Sequence, residues 1–233
     1  MNLYILVEGK AEFKIYPSWL SCLLPELVRV EDYDSVKNNN YYIFQSAGIP
    51  TILDIDLPNA ISDVNSTGKY DYLVVCLDAD ELTVSKRKSK VEMVLASQTS
   101  SLGKTKLIPI IQNRCIETWL LGNRNIFPPQ ISSMPLDNSE PLLTYSNYYD
   151  VSISDPEKMG KYNDDFITHS QFHKAYLKAL FKTRKIRYSE RDPKEALKEF
   201  YLQALRRRIQ DDIDHLNTFR HFINFCDMLK TKL

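Results

Sequence analysis

Short apolar runs alternate with helical patterns along the first half of this chain of 233 residues. Residues 3–7 and 72–77 are apolar and rich in strand-forming residue types, which is typical of buried strands in a parallel sheet. Weaker strand patterns lie at residues 27–30, 41–44 and 107–111. Strands that alternate with helices favour βαβ units. The pattern therefore predicts an α/β fold with a mainly parallel sheet.

Helical patterns lie between these runs. The first begins near Ala11, and Pro17 inside it predicts a kink or a late start. Pro109 lies in the last strand pattern, which predicts an edge position for that strand because proline cannot donate a ladder hydrogen bond. Gly122 follows another helical pattern and is predicted to form its C-cap. The predicted helices after the first one cover residues 50–64, 84–96 and 115–121.

The chain changes character after residue 122. Residues 123–168 hold five of the 11 prolines and show little periodicity, which predicts an irregular insertion or linker. Beyond them the pattern is helical again, and Asp192 and Pro193 are the expected N-cap and first residue of a long helix. A last helix is predicted from Thr218. The resulting division is a sheet domain (residues 1–122), the insertion (123–168) and a helical extension (169–233).

Charge is divided unevenly along the chain. Residues 1–168 carry 15 Lys and Arg against 22 Asp and Glu, whereas residues 169–233 carry 15 against 8. An acidic sheet domain joined to a basic helical tail suits a metal site paired with a surface that binds polyanions. Attraction between the two parts of the chain, or to a partner protein, accounts for the division equally well.

Composition argues against several classes of protein. No apolar run reaches the length of about 18 residues that predicts a membrane span. The N-terminal run is broken at Glu8 and has no basic segment before it, so we expect no signal peptide. The four cysteines are scattered and lack CxxC spacing, which favours a reducing, cytoplasmic location.

Acidic side chains follow two of the predicted strands. Glu8 ends the first apolar run, and Asp78 and Asp80 come directly after residues 72–77. Open α/β sheets bind ligands at the carboxyl ends of their strands, and hard cations such as Mg²⁺ prefer oxygen ligands. Crowded carboxylates repel one another unless a cation or a proton intervenes. These residues predict a metal site; the alternative is a solvated turn in which Asp80 caps the next helix.

The same two elements resemble the TOPRIM domain of type IA and type II topoisomerases, bacterial primases and OLD-family nucleases. The resemblance rests on the strand-Glu-Gly element at Glu8, followed by Glu12, and on the strand-Asp-x-Asp element at Asp78 and Asp80. It covers residues 1–122. It implies a Rossmann-like fold with a sheet of about four to five strands, acid–base chemistry by Glu8, and Mg²⁺ or Mn²⁺ held by the aspartates.

A further stretch, residues 113–121, is similar to the Glu-x-Trp-Leu helix of small standalone TOPRIM proteins from bacterial defence and mobile-element loci. This similarity implies that Glu117 is a fourth acidic ligand, as in two-metal nucleases. The alternative is a glutamate on the helix surface beside a core residue, Trp119. We assign Glu12 to support of the helix N-terminus, where the helix dipole favours a carboxylate.

Basic residues near these motifs and in the tail are candidates for nucleic-acid contacts. Lys10 and Arg114 flank the acidic residues and could meet a phosphate. Arg206, Arg207 and Arg208 lie in a tail that also carries tyrosines, a combination that suits backbone neutralisation and base stacking. The alternative is a basic helix face that is merely solvated.

Three hypotheses follow for function. The first is a Mg²⁺-dependent phosphodiester nuclease that acts on DNA or RNA in phage defence or mobile-element biology, with Glu8, Asp78, Asp80 and Glu117 as its catalytic and metal-binding residues. The second is a non-catalytic, TOPRIM-like nucleic-acid-binding subunit that works with an ATPase partner, since the sequence carries no ATP-binding motif. The third is primase-like nucleotidyl transfer at the same site. A homo-oligomer is compatible with all three.

Overall fold

The computed structural model describes residues 1–99, 101–127 and 136–233, with side chains in the last range described from residue 140. Its centre is a five-stranded sheet with the order β2-β3-β1-β4-β5, in which every strand pair is parallel. The predicted α/β class and parallel sheet are thus confirmed, as is the edge position of the strand that contains Pro109. The strands are β1 (Asn2–Val7), β2 (Val28–Val30), β3 (Asn40–Gln45), β4 (Tyr72–Asp78) and β5 (Lys106–Gln112).

Eight α-helices lie in the described residues. Most helices predicted from the apolar periodicity are found within a few residues of their expected bounds. The helix expected from residue 50 instead starts with a π-helical turn, Ile52–Asp56, and its α-helix begins at Leu57. The helix expected from Asp192 also begins later. The helices are α1 (Lys10–Leu23), α2 (Leu57–Thr67), α3 (Val84–Ser97), α4 (Ile116–Leu120), α5 (Leu136–Tyr148), α6 (His169–Thr183), α7 (Glu199–Asp211) and α8 (Asn217–Lys230). Among these same residues, no helix is long and apolar enough to cross a membrane.

Both faces of the sheet are buried, because the side chains of the central strands are apolar on both sides. Along β1, Leu3, Ile5 and Val7 enter one core, whereas Tyr4 and Leu6 enter the other. Successive side chains of a strand point to opposite faces, so a run without polar interruption requires a layer on each side. The apolar run that predicted a buried parallel strand therefore has both of its faces covered.

The two layers differ in size. The smaller core lies between the sheet and α2 and α3. The larger core joins the sheet to α1, α4, α6, α7 and α8 and also takes in residues of the 123–168 segment, namely Leu142, Val151 and Met159. At its centre Trp119 lies edge-on to Phe219, with ring centroids 5.4 Å apart. The helices after residue 168 thus share one core with the sheet.

The segment 123–168 is more regular than predicted. Its described residues contain α5 and two short 3₁₀ turns, Arg124–Ile126 and Pro156–Lys158. Near the start of the chain, α1 begins at Lys10 and runs past Pro17 without interruption, so a late start at the proline is wrong.

The predicted start of α7 at Asp192 and Pro193 is also wrong. The helix begins at Glu199, because backbone carbonyls before that point accept hydrogen bonds from side chains of α1. Trp19 Nε1 donates to the carbonyl of Ala196 at 2.9 Å, and Ser18 Oγ donates to that of Leu197 at 2.6 Å. A carbonyl that has a tertiary partner does not need a helical one.

Gly122 does not act as the predicted left-handed C-cap. The C-cap of α4 is Leu121, whose backbone is right-handed helical at φ −62°. The glycine is needed for space instead: a Cβ at Gly122 would lie 2.4 Å from Cδ1 of Leu216 and 2.9 Å from the carbonyl oxygen of Trp119.

We therefore expect Gly122→Ala to lower the free energy of unfolding by about 1–3 kcal/mol, because the added methyl overpacks the contact between α4 and α8. Urea denaturation measures this change. In a Leu216→Ala background, which removes the nearer side chain, the same substitution should cost less. An equal cost in both backgrounds would show that the contact with Leu216 is not the cause.

Candidate functional site

A cleft of about 680 Å³ opens at the carboxyl ends of β1 and β4. Parallel α/β sheets bind ligands at this edge. The four acidic residues predicted to form the site all line this cleft, and two further carboxylates join them. The acidic residues of the cleft are Glu8, Glu12, Asp78, Asp80, Glu117 and Glu190.

Glu8 and Asp78 are brought together by the pairing of their strands. Val7 is in register with Cys76, so the residues that follow leave the sheet side by side. The backbone N–H of Asp78 donates to Oε2 of Glu8 at 3.0 Å. Burial raises the pKa of the Glu8 carboxyl, and the negative charge of Asp80 raises it further, although the hydrogen bond from Asp78 acts in the opposite direction.

Asp78 carries the least compensated charge of the cleft. Its Oδ1 is buried and has no hydrogen-bond partner among the described residues. Burial raises the pKa of Asp78 well above its usual range, and Glu12, Glu8 and Glu117 raise it further by repulsion. A buried acceptor without a partner lowers the stability of the folded protein, so we expect this oxygen to bind a proton or a cation.

Asp80 lies in a strained turn directly after β4. Its backbone φ is 51°, in the left-handed region that few side chains other than Asn and Asp adopt readily. Its carboxylate accepts from Arg87 Nη2 at 3.1 Å, and Nη1 of Arg114 donates to its backbone carbonyl at 2.9 Å. Asp80 does not cap the next helix, because Thr83 is the N-cap residue of α3. The expected capping role of Asp80 is therefore wrong.

Glu117 is not a surface residue of its helix. Its side chain is only 2% exposed, and its Oε1 accepts from the Tyr188 hydroxyl at 2.9 Å. Lys174 Nζ lies 3.9 Å from the same oxygen and forms a second ion pair with Glu190. The hydrogen bond and positive charge of Lys174 lower the pKa of the Glu190 carboxyl.

Glu12 is part of the cleft, although from the sequence we assigned it only to support of the helix N-terminus. It lies in the first turn of α1, as expected, but it is 5% exposed and lines the cleft. Burial raises its pKa to about 8, with repulsion from Glu117 and Glu8 adding to the effect. Gly9 leaves it room, since a Cβ there would lie 2.9 Å from Glu12 Oε2. The Glu-Gly-x-x-Glu spacing is the sequence pattern that could have indicated a place for Glu12 in the cleft.

Lys174, Glu190 and Ser170 also line the cleft and were not predicted. They come from α6 and the loop after it, far along the chain from the acidic motifs. No local pattern marks them, because the contact between α4 and α6 that places them here is a tertiary one.

The predicted basic residues have different surroundings. Lys10 is exposed and lines the cleft, whereas the Arg114 side chain is engaged with the Asp80 backbone. Arg207 is exposed and Arg206 is half-buried. Arg208 is 1% exposed and donates to the backbone carbonyls of residues 151, 152 and 154. The prediction that Arg208 contacts nucleic acid is wrong, since its guanidinium is buried and donates its hydrogen bonds to that segment.

The donor chemistry of the cleft fits a hard divalent cation, because all of its candidate ligands are carboxylates and Asp78 Oδ1 has no partner within residues 1–99, 101–127 and 136–233. The side chains as placed are not yet a closed ligand set. Among the described ranges, no group of three or more His, Cys, Asp or Glu side chains is close enough to hold a metal ion. The residues fit such an ion in kind and position, and they would have to draw closer to share one.

The fold and the cleft together define an α/β protein with an acidic site at the carboxyl edge of an all-parallel sheet. No family model, curated protein or solved structure matches the chain. What the site does must therefore be argued from its own residues.

Stability should depend on pH through the cleft. A carboxyl whose pKa is raised in the folded protein binds more protons there than in the unfolded chain, so stability is lost as pH rises from the usual carboxyl range through about 8, the pKa of Glu12. We expect Glu12→Gln to make the free energy of unfolding less dependent on pH and to stabilise the protein by about 1–3 kcal/mol near pH 8. Urea titrations in EDTA at several pH values measure both effects.

Glu26→Gln is the matched control, because Glu26 is exposed and lies outside the cleft. It should leave the pH dependence of the wild type unchanged. Parallel pH profiles for wild type and Glu12→Gln would contradict the assignment of a buried, repelled carboxyl at Glu12.

Proposed function

We propose that this protein is a Mg²⁺- or Mn²⁺-dependent phosphodiester nuclease of TOPRIM type that acts on DNA or RNA. The observation that carries the proposal is the convergence of Glu8, Asp78, Asp80 and Glu117 on one cleft at the carboxyl edge of the sheet. Packing does not require four carboxylates from three separate elements to meet there, and their mutual repulsion opposes it.

In this proposal the acidic residues divide into two roles. Asp78, Asp80 and Glu117 hold divalent cations through their carboxylates, and Asp78 Oδ1 is the oxygen most in need of one. The cation, when bound, stabilises the negative charge that develops on the phosphate. Glu8 has a raised pKa, which suits it to accept a proton from the attacking water or to donate one to the leaving oxygen.

Cationic groups at the cleft suit a phosphate-bearing substrate. Lys10 is exposed at the rim and has the charge to meet a phosphate of the backbone. Lys174 is partly exposed and paired with two glutamates, so it orients Glu117 and offsets the charge of the cluster. The resemblance to standalone TOPRIM proteins adds the proposal of a role in phage defence or mobile-element biology.

Cleavage assays on panels of DNA and RNA, with Mg²⁺ or Mn²⁺ and with EDTA, test this function. We expect Asp78→Asn to abolish metal-dependent cleavage and Glu8→Gln to slow it by about 10²–10⁴-fold, as is typical when a general acid or base is removed. Asp78→Asn should remain folded, because it removes a buried charge rather than a packed group. Glu26→Gln should cleave like the wild type.

Cleavage that survives Asp78→Asn, or that EDTA leaves unchanged, would refute the assignment. Wild-type protein that binds nucleic acid without cleaving it, and that co-purifies with an ATPase, would favour the non-catalytic binding subunit instead. Incorporation of labelled nucleotides in place of cleavage would favour nucleotidyl transfer.

A further inference from the structure

A second cavity, of about 370 Å³, lies between β3 and α2, on the face of the sheet that packs against the smaller core. Four aromatic rings and two carboxylates dominate its lining, and among the described residues that form it none is basic. These six residues are Tyr4, Tyr33, Tyr42, Phe44, Asp56 and Asp63.

The cavity exists because helices cover this face of the sheet incompletely. α2 packs on β1 and β4, so β3 is left at the margin, and β2 beyond it has only three residues. Tyr42 is consequently half-buried, and Phe44 is 37% exposed. Aromatic side chains on an edge without a covering layer are available to a ligand.

Three of the four rings form a connected wall. Tyr4 and Tyr42 meet edge to face with centroids 5.1 Å apart, and Tyr33 meets Tyr42 at 6.3 Å. Tyr4 is 3% exposed, and its hydroxyl donates to Oδ2 of Asp63 at 3.0 Å. This part-buried hydrogen bond fixes the Asp63 carboxylate beside the rings, so the aromatic wall and the negative charge are held together before any ligand arrives.

The potential around the cavity is negative. Burial raises the pKa of Tyr42, and Asp63, Asp32 and Glu31 raise it further. The basic groups nearby are engaged elsewhere. The guanidinium of Arg29, which acts against these charges, lies 4.9 Å from the centroid of the Phe13 ring. Lys69, beyond Tyr70, donates to the carbonyl of Asp34 at 3.0 Å. The carboxylates of the cavity are therefore left to attract a cation from outside.

We propose that this cavity is a binding site for an organic cation, with an alkylammonium or guanidinium head group seated against Tyr42, Tyr33 and Phe44 and its charge directed at Asp63 and Asp56. Aromatic faces attract such cations through their quadrupoles, and the attraction strengthens as the cation is desolvated. A carboxylate pair at the same cavity selects against neutral and anionic ligands. The site is separate from the acidic cleft and independent of the nuclease proposal.

Two pairs of probes separate charge from shape. Choline is compared with 3,3-dimethyl-1-butanol, its neutral carbon analogue, and N-acetyl-arginine amide is compared with N-acetyl-citrulline amide. Binding to the full-length protein is followed by ligand-observed NMR in EDTA. We expect at least one cation to bind about threefold or more tightly than its neutral partner and to weaken with added salt. Tighter binding of choline points to a free ligand, and tighter binding of the arginine amide points to a side chain of a partner protein.

Variants test the assignment to these residues. Tyr42→Leu and Asp63→Asn should each weaken cation binding by about 3–10-fold, whereas Tyr42→Phe, which keeps the ring, should bind like the wild type. Asp63→Asn still offers an oxygen to the Tyr4 hydroxyl, so loss of folding is not expected to explain its effect, and thermal melts check this. Phe200→Leu, at an exposed ring outside the cavity, is the control. Equal binding of charged and neutral probes, or binding unaffected by Tyr42→Leu and Asp63→Asn, would overturn the proposal.

Discussion

Repulsion between buried carboxylates is the interaction around which this structure is arranged. The parallel register of β1 and β4 leaves Glu8 and Asp78 adjacent, and α1 and α4 bring Glu12 and Glu117 into the same cleft. Compensation comes from several elements: Arg87 of α3 pairs with Asp80 on one side of the cleft, and Lys174 of α6 pairs with Glu117 on the other. Asp78 Oδ1 has no hydrogen-bond partner in the part of the chain that the structure describes, so the compensation there is incomplete where the strands end.

The helical extension completes this site. Lys174 and the Tyr188 hydroxyl, both from residues 169–233, contact Glu117, and His169 pairs with Glu81 next to the acidic turn. Contacts such as that of Lys174 with Glu117 thus join the two parts of the chain, and mutual attraction as the reason for the overall division of charge stays a prediction. These contacts are local: a few basic groups of the extension meet acidic side chains, while other basic residues, including Arg207, stay exposed.

The parts of the fold that could be predicted are those whose signal is local. Apolar runs ending in Glu8 and Asp78 marked the two central strands and the edge at which the site lies. The start of α7 could not be predicted from Asp192 and Pro193, because side chains of α1 donate hydrogen bonds to backbone carbonyls in the stretch before Glu199. The role of Lys174 could not be predicted either, since it depends on how α6 packs against α4. Local patterns find strands and their ends, and tertiary contacts then decide which charges meet.

The two cavities are proposed to bind cations of different kinds. At the carboxyl edge, six carboxylates line one cleft, and carboxylate oxygens suit a small, hard ion. Beside β3, carboxylates stand next to aromatic faces, which favour a large, weakly hydrated cation over a small and strongly hydrated one. Mg²⁺ gives up its water reluctantly and gains little from an aromatic wall. Both proposed sites are lined by carboxylates. They differ in whether further carboxylates or aromatic rings lie beside these, and this difference therefore separates the kinds of cation that they suit.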